Sequence, residues 1–267
     1  MSAGTINLIG VPYDAKSSFL KGPSEAPQAI REALFSGASN LFSETGVDLG
    51  EVDGFREAAD LRIENSDEGF GTIEEEASRL LTADSRPIFL GGDHSITFPL
   101  VKTLALTHRP STLIHFDAHP DLYDQFEGDR FSHACPFARI MEEGSTDRLI
   151  QIGIRTTNDH QREQAEKFGV EMIELPKVPS DLGLSAADSV YVSLDVDVFD
   201  PAFAPGISHH EPGGMTVREV IGLIHSINAP IVGADVVELN PQRDVNGVTA
   251  MVAAKMVKEI AGKMATD

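Results

Sequence analysis

Asp117, His119 and Asp121 alternate along the stretch His115-Phe116-Asp117-Ala118-His119-Pro120-Asp121, and all three are metal-ligand types. They follow a short apolar run, Thr112-Leu113-Ile114, which reads as the end of a buried strand. Side chains two apart on extended backbone point the same way, so the three converge just past a strand end. Two anions and an imidazole at that spacing call for a cation between them. A lone Asp-x-His is more often a capped turn, but the density of ligand types here favours a metal.

Other loop starts carry the same residue types. His94 follows Pro87-Ile88-Phe89-Leu90 and Gly91-Gly92, Asp195 and Asp197 follow Val190 to Leu194, and Glu238 ends the run Pro230 to Val237. Taken alone, Asp195-Val196-Asp197 is a common way to open a turn, and His94 could cap the next helix. Taken together, His94, Asp117, His119, Asp121, Asp195 and Asp197 offer a shell of side-chain ligands. One tetrahedral zinc needs about three or four protein ligands. A larger, mostly carboxylate set suits two metals bridged by carboxylates and a water. Hard oxygen donors with some imidazole favour manganese. Two cations sharing one water lower its pKa and make a hydroxide nucleophile available near neutral pH.

The elements that must position these groups alternate strand and helix. Strands are expected over 6–11, 47–50, 87–90, 112–116, 149–154, 170–175, 190–194 and 230–237. Helices are expected over 25–34, from Thr72 as cap with Glu75 three residues on, and over 96–106, 135–141, 159–168, 215–227 and 245–260. Residues 51–70 read as a surface excursion. Such alternation with short connections is the pattern of a mostly parallel sheet covered on both faces. No repeat or linker divides the chain, so one domain over 1–267 is expected. The candidate site residues follow four separate strands, where open parallel sheets place their ligands.

The net charge of −21, from 42 acidic and 21 basic residues, argues against nucleic acid and anionic membranes. The only cysteine, Cys135, excludes an intramolecular disulfide and suits a reducing compartment. Met1 to Thr5 lead into a strand-like run without a signal-peptide pattern, and no window reaches membrane-span length, so a cytoplasmic protein is expected. Gly91-Gly92 reads as a tight turn, since no G-x-G-x-x-G or Walker pattern occurs.

These motifs resemble the ureohydrolase family, which contains arginase and agmatinase. The resemblance runs from Ile9-Gly10-Val11-Pro12 and Gly22-Pro23 through Gly91-Gly92-Asp93-His94-Ser95, Asp117-Ala118-His119-Pro120-Asp121 and Ser193-Leu194-Asp195-Val196-Asp197 to Glu238-Leu239-Asn240-Pro241. It implies a three-layer α/β/α sandwich. It also implies two Mn2+ per subunit, one held by His94, Asp117, Asp121 and Asp195, the other by Asp117, His119, Asp195 and Asp197. The reaction implied is hydrolysis of a guanidino group to urea and an amine. Glu238 would pair with the guanidinium, whose planar fork matches a carboxylate. Asp121 would pass a proton toward the leaving amine, and His133 matches the family's proton-shuttling histidine. A homo-oligomer, trimer or hexamer, is likewise implied.

The substrate tail is less legible. The chain departs from many agmatinases at Ser132-His133-Ala134-Cys135 and at Gly206-Ile207-Ser208-His209-His210-Glu211-Pro212. Asp124, Glu127 and Asp129 in the loop 122–132 would favour an amine-bearing cation, whereas Arg130 would favour a carboxylate. Agmatine, hydrolysed to putrescine and urea, is the leading expectation. Arginine, a guanidino acid and formiminoglutamate are the alternatives. A deacetylase-like amidohydrolase with one zinc and a catalytically silent binding protein are the readings from other classes. Cys135 beside His133 reads as packing rather than as a nucleophile.

Overall fold

The computed structural model describes residues 4–179 and 182–267. Met1 to Ala3, on which part of the N-terminal reading falls, and the first residues of the 1–267 domain lie outside the described residues. The strands are β1 (Thr5–Gly10), β2 (Phe55–Glu57), β3 (Ser85–Leu90), β4 (Thr112–Phe116), β5 (Arg148–Ile154), β6 (Glu171–Glu174), β7 (Val190–Asp195) and β8 (Ile231–Val237). They form one sheet in the order β2-β1-β3-β8-β7-β4-β5-β6. Every pairing is parallel.

The helices are α1 (Ala26–Leu34), α2 (Asp67–Phe70), α3 (Ile73–Leu80), α4 (Thr97–His108), α5 (Pro136–Glu143), α6 (Asp159–Phe168), α7 (Val217–Ser226) and α8 (Val248–Met264). Successive strand residues face opposite sides, and the core divides accordingly. Leu8, Ile114, Phe116, Val192 and Val236 pack with α1, α7 and α8 on one face. Leu113, Leu149 and Tyr191 pack with α4, α5 and α6 on the other. The expected α/β/α sandwich is the observed one. Ile30 on α1 is fully buried in the first of these layers. Ile30→Ala should lower the unfolding free energy by about 2–5 kcal/mol through transfer and cavity costs. A denaturant midpoint equal to that of the parent protein would contradict this packing.

Two elements differ from the sequence expectations. Residues 47–50 form no strand; Asp48 makes only an isolated antiparallel bridge to Phe42. The second strand is instead Phe55–Glu57, inside the stretch read as a surface excursion, paired with Ile6 to Leu8. It is a short, largely exposed edge strand, so it carries no apolar run to betray it. Thr72 does not cap α3: its backbone is already helical and its hydroxyl donates to the Gly69 carbonyl. The full capping box belongs to α7, between Thr216 and Glu219.

Sheet order is what builds the site. β3, β8, β7 and β4, scattered through the sequence, are consecutive neighbours at the sheet centre. Their carboxyl ends therefore bring His94, Glu238, Asp195 and Asp117 side by side, at a topological switch point.

Candidate metal centre

Gly91 and Gly92 turn the chain after β3 with φ of 72° and 87°. A Cβ on Gly92 would lie 2.9 Å from the Val11 and Tyr13 carbonyl oxygens, so only glycine lets this turn nest against the loop after β1. His94 comes next, fully buried. Ser193 donates its hydroxyl proton to Asp235 Oδ1 at 2.7 Å, so its oxygen accepts from His94 Nε2–H at 3.0 Å. That assigns the lone pair to His94 Nδ1. Nδ1 lies 3.1 Å from Asp117 Oδ2, 3.3 Å from Asp121 Oδ2 and 3.1 Å from Asp195 Oδ2, and no hydrogen bond satisfies it. A buried lone pair facing three carboxylate oxygens is a donor set suited to a cation.

The second cluster adjoins the first. His119 Nδ1 lies 3.0 Å from Asp197 Oδ2 and 3.4 Å from Asp117 Oδ1. Asp117 thus faces both imidazoles. The backbone shapes each turn: Asp117 Oδ1 accepts from His119 N–H at 2.6 Å, Asp195 Oδ1 from Asp197 N–H at 2.7 Å, and Asp197 Oδ1 from Ala118 N–H at 3.0 Å. Simple alternation on extended chain does not complete the set, because Asp121 reaches it through a left-handed residue with φ of 49°.

Electrostatics give the same account. Burial, joined by neighbouring carboxylates, pushes Asp195 and Asp197 up, and pushes Asp121 up to about 6. Burial acts the same way on Asp117, but His115, His119 and His94 outweigh it and hold that carboxyl well below its ordinary value. Burial disfavours a charged His94, yet the carboxylates of Asp117, Asp121 and Asp195 crowded against its ring outweigh it and raise the imidazole well above its ordinary value. Without metal, this much buried negative charge is relieved only by protons. Divalent cations relieve it directly, so the residues fit a metal centre.

His94, His115 and Asp117 also cluster at metal-binding distances. His115, however, is no ligand. Gln151 Nε2 donates to its Nδ1 at 3.0 Å, so its Nε2–H donates to Asp117 Oδ2 at 2.7 Å and no lone pair is left. Burial lowers its pKa to about 4, keeping the ring neutral. Gln151, His115, Ser193 and Asp235 stand in register across β5, β4, β7 and β8. They form a polar row one layer beneath the ligands, and it orients His94 and Asp117. The sequence reading missed this row. Its signal was one polar residue inside each otherwise apolar strand.

Arg155 was likewise missed. Its guanidinium donates to the carbonyls of Asp197 at 2.6 Å, Glu211 at 2.8 Å and Val198 at 3.2 Å, tying the Asp197 turn to the loop after it.

Glu238 is buried, with φ of 63°. Its Oε1 accepts from His94 N–H and from His133 Nδ1–H, both at 2.9 Å. Its Oε2 takes no hydrogen bond among the described residues, and Glu238 lines a cavity of about 160 Å³ together with Asp121, His133, Asp195 and His209. Burial opposes a charged His133, but Glu238 outweighs it and raises the pKa to about 9. Cys135 donates weakly to the Asp129 carbonyl at 3.6 Å, and burial pushes its thiol up to about 12, as befits packing. His209 and His210 part company: the ring of His209 lies 5.4 Å from that of His133, whereas His210 Nε2 contacts the Pro205 carbonyl at 2.9 Å.

Comparison with known proteins agrees with this geometry. The family model described as "Arginase family" matches residues 4–262. "Arginase 1, mitochondrial" of Arabidopsis thaliana is 44% identical over 275 residues, covering 97% of this chain and 80% of that one. An agmatinase of Bacillus cereus is 33% identical over 261 residues, covering 95% and 89%. The structure of the arginase from Medicago truncatula superposes with a TM-score of 0.90 at 42% identity, covering 98% of this chain and 88% of that chain. Matched over residues 4–262 by that family's model, and carrying paired His and Asp clusters at the ends of its central strands, this chain belongs to the arginase family of hydrolases that act on C–N bonds of linear amidines.

Proposed function

We propose that the protein is an arginase, hydrolysing L-arginine to L-ornithine and urea with two manganese ions. The observation carrying this reading is the 44% identity to a plant arginase over nearly the whole chain, against 33% to an agmatinase. The agmatine expectation gives way on a second ground, because the loop charges that favoured it are engaged elsewhere. Asp124 lies 3.1 Å from His160 and Asp129 pairs with Lys16 at 2.8 Å; Arg130, which spoke for a carboxylate tail, is engaged as well, with Glu142 at 2.8 Å. Glu127 sits exposed in the turn between Phe126 and Asp129. No acidic gate lines the cavity from that loop.

The roles follow from the donor set. His94, Asp117, Asp121 and Asp195 would hold one ion; Asp117, His119, Asp195 and Asp197 would hold the other. When bound, the metals supply an activated water as nucleophile. Glu238 receives the guanidinium on its open Oε2, fixing the carbon over the centre. Asp121 and His133 flank the cavity as proton donors for the leaving amine. The single-zinc deacetylase reading suits this site less well, since both His–carboxylate clusters are present.

We take the chain to act as one domain and, following its family, as a homo-oligomer. No helix among the described residues is long and apolar enough to cross a membrane. The cytoplasmic expectation draws no support from the Arabidopsis relative, which is named as mitochondrial.

Urea release by the manganese-loaded protein should be fastest with L-arginine in a panel with agmatine, guanidinobutyrate and guanidinopropionate. A higher kcat/KM for agmatine would sink the arginase assignment and leave the family assignment standing.

A further inference from the structure

The cavity beside the metal centre is lined by two chemically different sets of polar residues. Its carboxylates are Asp121, Asp195, Asp197 and Glu238. On the reading above, the first three belong to the donor set and the fourth to the guanidinium. Tyr123, Thr156 and Gln161 line the same cavity and are neutral.

Gln161 is the most telling of the three. It stands in the first turn of α6 and is 4% exposed. Its backbone N–H donates to Asn158 Oδ1 at 3.0 Å, but its side-chain amide makes no hydrogen bond among the described residues. That amide is not sealed off from open space, and the space it meets is the cavity that Gln161 lines. An amide taken out of water without a partner is costly, so this one calls for a ligand. Asn158 ties Tyr123 to the same helix start. With its Oδ1 engaged by α6, its Nδ2 donates to the Tyr123 hydroxyl oxygen at 2.7 Å. The Tyr123 ring also stacks on His160, with centroids 5.7 Å apart. Tyr123 Oη thus accepts from Asn158, and its own proton has no acceptor among the described residues. Thr156 is held by its backbone N–H, which donates to the Ala118 carbonyl at 3.1 Å, and its hydroxyl is likewise unpaired among the described residues.

These neutral groups discriminate between substrate tails. A lone ammonium, as on agmatine, would shed water here without meeting a counter-charge. A zwitterionic α-amino acid tail brings both charges with it. It needs donors for its carboxylate and an acceptor for its ammonium, and a primary amide supplies both. The first turn of a helix also carries partial positive charge, which favours a carboxylate there. We propose that Gln161, supported by Tyr123 and Thr156, is the specificity-determining residue for the substrate tail, its Nε2–H group donating to the α-carboxylate. The inference rests on the arginase reading and supplies a physical reason for selecting arginine over agmatine.

Gln161→Ala and Gln161→Glu in the manganese-loaded full-length protein test it, with L-arginine and agmatine as alternative substrates. Gln161→Ala should lower kcat/KM for L-arginine about 10- to 100-fold, the range for a hydrogen bond to a charged group. The loss should fall on KM, because the tail is bound alike in the ground and transition states. Gln161→Glu, of nearly the same size, sets a carboxylate against that of arginine and offers the agmatine ammonium a partner. Its kcat/KM should fall for arginine and rise for agmatine, a gain that misfolding cannot produce. Calorimetric titration with L-ornithine and putrescine gives a readout independent of turnover. Gln161→Ala should weaken ornithine binding about 10-fold or more relative to putrescine binding. An arginine-to-agmatine ratio that stays at the parent value in both variants overturns the proposal. A parent protein that prefers agmatine overturns the arginase reading by itself. The titrations then decide the tail contact, which falls if ornithine and putrescine are weakened equally or not at all.

Discussion

Asp117→Ala is expected to abolish urea release and to lower bound manganese below two ions per chain. Asp117 is the one carboxylate that faces both imidazoles, through Oδ2 toward His94 and Oδ1 toward His119. Its removal would take a ligand from each ion of the proposed pair. It also strips the partner from His115 Nε2–H, leaving a buried donor unpaired. Loss of an outer-shell partner typically costs about 10–100-fold in metal affinity or activity, so loss of a shared ligand should cost about 10³-fold or more. His115→Ala provides the contrast: it should fall in the outer-shell range and keep measurable activity. Metal analysis after dialysis and a urea assay on both variants suffice. Two ions retained in Asp117→Ala would remove the bridging role.

Glu238→Gln should retain its metal and lose most of kcat/KM for arginine. The amide keeps the shape of the side chain but loses the charge that, on the proposed reading, pairs with the guanidinium. Breaking one side of a buried, hydrogen-bonded charge pair costs about 2–5 kcal/mol, or roughly 30- to several-thousand-fold. A second effect follows from the 2.9 Å contact to His133. Glu238 is the main influence raising the His133 pKa, to about 9 in the metal-free chain. A raised folded-state value means that the charged imidazole is favoured by folding; that stabilisation is present below the ordinary histidine value and is lost as pH rises through about 9. In Glu238→Gln this window should shrink, with the His133 titration moving toward lower pH. An NMR titration of the metal-free proteins reads it directly. An unchanged kcat/KM would remove Glu238 from substrate binding, and an unmoved titration would deny the coupling to His133.

The candidate ligands stood out because each sits at or just past a strand end, where the apolar period stops and a carboxylate or imidazole has no reason to follow by chance. Strand and helix alternation fixed a parallel α/β sheet for the same reason: strands buried on both faces read as unbroken apolar runs. Edge strand β2 and the supporting row of Gln151, His115, Ser193 and Asp235 left no such trace. An exposed strand has no apolar run, and one polar residue within a strand says nothing about its neighbours until the register is known. The acidic loop residues carry little information about the substrate because charge in a sequence has no direction; Asp124 and Asp129 are drawn to His160 and Lys16, residues distant in the chain.

By itself, the sequence determined the residue types at four strand ends, and hence a cation-binding centre and its family. Only the tertiary structure decided that those four strands are adjacent, which nitrogen of His94 carries its lone pair, and that the two ring nitrogens of His133 meet Glu238 and Ser18. Such facts depend on strand order, register and hydrogen-bond direction between residues about 100 positions apart, and local sequence does not encode them.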